Sequence, residues 1–109
     1  MRKLPLRESG EVTLDANGDG TVELTCDVEQ WDIAMCGLRV QPRPVTLEPE
    51  CSVYIDGLFV GGSQSASLDS DSTFNQMMQK SQKIRAVWTG GDVGSTAILT
   101  LTGSRILNP

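Results

Sequence analysis

The sequence predicts an all-β fold: a single antiparallel β-sandwich, jelly-roll or immunoglobulin-like, of about seven strands. Three observations predict it. Apolar and polar residues alternate along several short runs. Clusters of Gly, Asn, Asp and Ser punctuate those runs about every 8–12 residues. No run of ten or more residues carries the apolar stripe of an amphipathic helix. At 109 residues, the chain has the size of one domain.

The first strand is centred on Val12 and Leu14, which alternate with Glu11, Thr13 and Asp15. The second runs through Val22, Leu24, Cys26 and Val28, with Thr21, Glu23, Thr25 and Asp27 on the wet face. Between them, Asn17-Gly18-Asp19-Gly20 favours positive φ, and the pair reads as a hairpin. A third strand covers about 34–41, with Ala34, Cys36, Leu38 and Val40 inward, and Pro42 and Pro44 end it. A fourth runs from about 51 to 56, bends at Asp56-Gly57 and continues through Leu58-Phe59-Val60.

Residues 61–72 are rich in Gly, Ser and Asp and read as a loop. Phe74 to Lys80 fits a helical turn or a strand, and the β flanks favour an irregular or short strand. Lys83 to Thr89 is a strand with Ile84, Ala86 and Trp88 on one face. After Gly90-Gly91-Asp92-Val93-Gly94, the β-branched run from Thr96 to Thr102 makes the last strand. The sandwich domain is thus 11–103, between an N-terminal basic arm at 1–10 and a C-terminal tail at 104–109. The arm holds three cations (Arg2, Lys3, Arg7) against Glu8, a net of +2, so the remainder carries −7 of the total −5. Such an arm is a frayed end or a strap that orders on a partner.

Composition excludes several chemistries. There is no histidine, so no Ser-His-Asp triad, Cys-His dyad or imidazole switch can be built. The acidic balance argues against nucleic acid as a partner. No segment approaches the length of a spanning helix, and no secretory leader is visible, since Pro5 and Arg7-Glu8 interrupt any apolar stretch. No membrane partner and a cytoplasmic site of folding are therefore expected. The three cysteines, Cys26, Cys36 and Cys51, are odd in number, form no Cys-x-x-Cys, and fall on apolar faces. They read as core side chains.

Asp15-x-Asn17-x-Asp19-Gly20 matches the first half of a calcium loop, but position 12 is Cys26 where a bidentate carboxylate belongs. The plain turn is the preferred reading, and neither metal nor cofactor is expected. No nucleophile, base or carboxylate pair stands out, so no catalytic residue is assigned. Trp31, in an acidic stretch, either plugs the end of the sandwich or anchors an interface.

Several pieces resemble small β-sandwich proteins encoded among the virion genes of actinobacterial tailed phages. They are Arg2-Lys3-Leu4-Pro5-Leu6-Arg7, the turn at Asn17-Gly18-Asp19-Gly20, Cys51-Ser52-Val53-Tyr54-Ile55, the run Ile84-Arg85-Ala86-Val87-Trp88-Thr89-Gly90-Gly91-Asp92-Val93-Gly94, and Ala97 to Gly103. The run through Trp88-Thr89-Gly90-Gly91-Asp92 is the most specific. The resemblance implies a non-enzymatic structural protein of the virion, assembled in the host cytoplasm. The leading expectation is a capsid decoration (cement) protein on the outside of the shell, binding the major capsid protein or other virion proteins as a homo-oligomer. A minor tail or head-fibre protein is one alternative, and a calcium- or glycan-binding β-sandwich module is another. The expected partner-binding residues are Arg2, Lys3, Leu4, Leu6 and Arg7 of the arm, with Trp31; deletion of residues 1–7 is expected to abolish attachment and leave the sandwich folded.

Overall fold

The computed structural model describes residues 2–41, 45–64 and 70–107, leaving aside the side chains of 62–74. The described residues form eight strands: β1 (Arg2–Thr13), β2 (Gly20–Thr25), β3 (Gln30–Gln41), β4 (Glu50–Ile55), β5 (Leu58–Gln64), β6 (Ser70–Gln79), β7 (Lys83–Thr89) and β8 (Thr96–Leu107). They make two four-stranded antiparallel sheets, in the orders β1-β8-β3-β6 and β2-β7-β4-β5. This is the jelly-roll arrangement. Successive strands cross between sheets except at β4–β5, and the pairs β1·β8, β2·β7, β3·β6 and β4·β5 nest around the Asp56-Gly57 turn.

The core lies between the sheets. Leu99, Leu101, Ala97, Cys36, Leu38 and Val40 come from the first sheet; Ile84, Ala86, Trp88, Cys51, Val53 and Val22 come from the second. Side-chain alternation builds this directly, because each of these runs has period two. All three cysteines are buried, as their phase predicts, and none forms a disulfide among the described residues. Each large apolar side chain so buried contributes about 1.5–3 kcal/mol.

Several sequence expectations change. The strands on either side of Asn17-Gly18-Asp19-Gly20 are not a hairpin: β1 pairs β8 and β2 pairs β7. They face each other across the core, where a Cβ on Gly10 would meet Val22 at 2.8 Å and one on Gly20 would meet Val12 and Leu14 at 2.9 Å. Alternation fixes the face of a strand but not its neighbour.

Asp56-Gly57 is a hairpin turn, not a bend. Both residues have positive φ (49° and 81°), the backbone of a type I′ turn. β4 and β5 are therefore separate strands, which accounts for eight where about seven were expected. β3 begins at Gln30, before the expected 34. A bulge between Ile33 and Met35 shifts the inward set from Trp31 and Ile33 to Cys36, Leu38 and Val40, and leaves Ala34 exposed instead of buried.

The segment read as a loop and short strand contains β6, ten residues long, paired to β3. Of the expected loop at 61–72, residues 65–69 lie outside the described set, as do Pro42 and Pro44; β3 stops at Gln41. The arm and tail are not separate segments. Arg2 to Thr13 pairs without a break with Thr96 to Leu107.

The loop after β1 is held by its own polar groups. Asp15 Oδ1 accepts the N–H of Asn17 (2.8 Å) and of Asp19 (3.1 Å), Asp19 Oδ1 accepts Gly90 N–H (3.0 Å), and Gly91 N–H donates to Gly18 O (2.9 Å). Gly18 has φ +76°, and a Cβ there would sit 2.0 Å from Gly91 O. Gly18→Ala therefore meets two faults at once, a left-handed backbone and a clash with main chain. It is expected to cost about 2–4 kcal/mol in urea unfolding. Gly57→Ala, with φ +81° but nothing within 4 Å, is expected to cost about 1 kcal/mol.

Candidate partner-binding surface

β1 lies at the edge of its sheet, with β8 on one side and, among the described residues, no strand on the other. Its alternation is uninterrupted, and it sorts the expected partner-binding residues. Leu6 is only 3% exposed and belongs to the core, so it offers no docking area. Its even-numbered companions Arg2 and Leu4 share its face, Leu4 half-buried and Arg2 exposed. Lys3 and Arg7 point to the opposite, outer face, and both are exposed. Among the described residues, Arg2, Lys3 and Arg7 make no side-chain hydrogen bond or ion pair. Pro5, between them, has no N–H to offer an incoming strand, and its carbonyl accepts Arg105 Nε–H at 3.1 Å.

Trp31 is not an interface anchor. It is 1% exposed, on the inner face of β3. Its Nε1 is buried with no hydrogen-bond partner among the described residues. Its stretch looked like a loop because the bulge at Ala34 breaks the alternation that would have joined Trp31 to β3.

Exposed apolar groups lie elsewhere, and the sequence reading missed them. Leu58 (71% exposed) and Phe59 (60%) start β5, immediately after the tight turn. Phe59 packs edge-to-face on Tyr54, with ring centroids 5.8 Å apart, and the Arg85 guanidinium lies 5.6 Å from the Tyr54 centroid. Glu23, Arg85, Tyr54 and Phe59 stand in one row across the outer face of the second sheet. Tyr, Phe and Arg together are the composition of an interface core. The available signal was the Asp-Gly turn: read as a hairpin, it places Leu58 and Phe59 at an exposed tip.

The carboxylates in the turns are committed to the backbone. Asp92 accepts the N–H groups of Thr46 (2.7 Å) and Leu47 (2.9 Å), and Asp56 accepts that of Lys83 (3.0 Å). Asp15 and Asp19 are likewise engaged, so the partial calcium motif forms a hydrogen-bonded turn. No group of three or more potential metal ligands occurs among the described residues. The Glu23–Lys83 pair, 3.7 Å apart and half-exposed, is weak.

Burial raises the thiol pKa of Cys26, and burial followed by the neighbouring Cys36 pushes that of Cys51 from the ordinary 9.0 up to about 12. Both stay protonated at neutral pH and are poor nucleophiles. Because the folded state holds the Cys51 proton more tightly than the unfolded chain, its contribution to stability is complete below pH 9. It is lost as pH rises from 9 towards 12. In urea titrations, Cys51→Val is expected to flatten the fall in stability across that window. No protein-family model matches the chain, and no curated protein matches it.

Proposed function

We propose that this jelly roll is a non-enzymatic structural protein of a tailed-phage virion, most specifically a capsid decoration protein that docks on the outside of the shell as a homo-oligomer. The resemblance of the Ile84–Gly103 region to such proteins supports the reading. The observation that carries it is β1, an edge strand whose basic side chains stand on an otherwise acidic protein. An edge of this kind adds to a neighbouring chain through main-chain hydrogen bonds, and its charges steer the approach. The engagement of Asp15, Asp19, Asp56 and Asp92 in turns favours a protein that binds over one that turns over substrate. Many modest contacts suffice on a symmetric lattice, where avidity multiplies them.

A truncation of residues 1–7 is a poor test, because it removes Leu6 from the core and half of β1 from its pairing with β8. Charge reversal is the better one. The intact chain is expected to cosediment with purified capsids and to saturate at a lattice-set stoichiometry. Arg2→Glu with Lys3→Glu is expected to weaken that binding about tenfold with an unchanged melting temperature. Failure of the wild-type chain to bind capsids overturns the decoration role, and labelling of tails instead selects the minor tail protein.

A further inference from the structure

A second feature of the first sheet lies on its outer face, away from the free edge. Leu99 and Leu101 point into the core, so Thr100 and Thr102 point out; Cys36, Leu38 and Val40 point in, so Gly37 and Arg39 lie on the outer side. In the ladder, Arg7 is opposite Thr102, Gly37 is opposite Thr100, and Arg39 is two residue pairs further along, opposite Ile98. Arg7 and Arg39 approach Thr100 and Thr102 from two different strands, β1 and β3. The result is a cavity of about 200 Å³ lined by Arg7, Arg39, Thr100 and Thr102.

We propose that this cavity is a binding site for a small tetrahedral oxyanion, a phosphate or sulfate group. Guanidinium forks match such oxygens two at a time, and threonine hydroxyls add donors from below. Arg39 is half-buried, with its Nε sealed from solvent. Arg7 is exposed and makes no hydrogen bond or ion pair among the described residues, so it is the arm that closes on the ligand. The volume is several times that of one water, which leaves room for the anion. The site does not depend on the virion reading, and it is tested on the isolated chain.

The test is a titration of the full chain with inorganic phosphate, followed by amide resonances at matched ionic strength, with sulfate, acetate and chloride as parallel arms. Phosphate and sulfate are expected to move the Gly37, Thr100 and Thr102 amides saturably. Arg7→Gln is expected to weaken binding about fivefold, and Thr100→Val to weaken it as well, both with the fold unchanged. Arg85→Gln, on the other sheet, is expected to bind phosphate as the wild type does. The proposal is overturned if no shift saturates, if chloride reproduces the shifts, or if Arg7→Gln binds as tightly as the wild type. Acetate binding as tightly as phosphate overturns the assignment to a tetrahedral anion.

Discussion

The structure depends on one constraint, the reversal of the chain at Asp56-Gly57. Every long pairing is nested around that point, from β4·β5 outward to β1·β8. The chain is therefore a single long hairpin, rolled so that its two legs supply both sheets. The reversal needs two consecutive residues with positive φ, and Asp-Gly is among the few pairs that accept this without large strain. The outermost pair joins residues a whole chain apart in sequence. Such non-local pairing carries a loop-closure cost that only the apolar burial between the sheets offsets.

Nesting leaves four edges, on β1 and β6 in one sheet and on β2 and β5 in the other. Two are visibly managed. β1 carries Pro5 and the exposed charges of Lys3, Arg7 and Glu11, and β2 carries Glu23 beside Lys83. These features discourage indiscriminate strand addition. β5 starts with Leu58 and Phe59 in the open, a more adhesive surface than the sequence suggested.

Much of the fold was legible in the residues, because period-two alternation is written locally. Val22 and Leu24, Cys51 with Val53 and Ile55, and Ile84 with Ala86 and Trp88 fell on the inner faces as read. The unread parts share a cause: where a strand departs from regular geometry, its pattern breaks. The bulge at Ala34 split β3 into an apparent loop and a strand, and so misassigned Trp31. Partner choice was also invisible, since the strands flanking Asn17-Gly18 are joined by a turn of hairpin composition yet belong to different sheets. Of the expected partner-binding residues, the charged ones lie on the surface and Leu6 does not. Their charge is readable in the residues; the burial of Leu6 is not, because it follows from the pairing of its run with β8 at the far end of the chain.

The pairing of Arg2 with Leu107 has a geometric consequence. Whatever covalently precedes the first strand or follows the last one leaves the domain at the same pole, with its attachment points about one interstrand spacing apart, roughly 5 Å. Anything fused there, at either terminus or both, is tethered on one side only. The opposite pole, where Gly18 meets Gly91, stays unobstructed, and a short linker could join the two ends into a closed loop of chain without disturbing a single ladder rung.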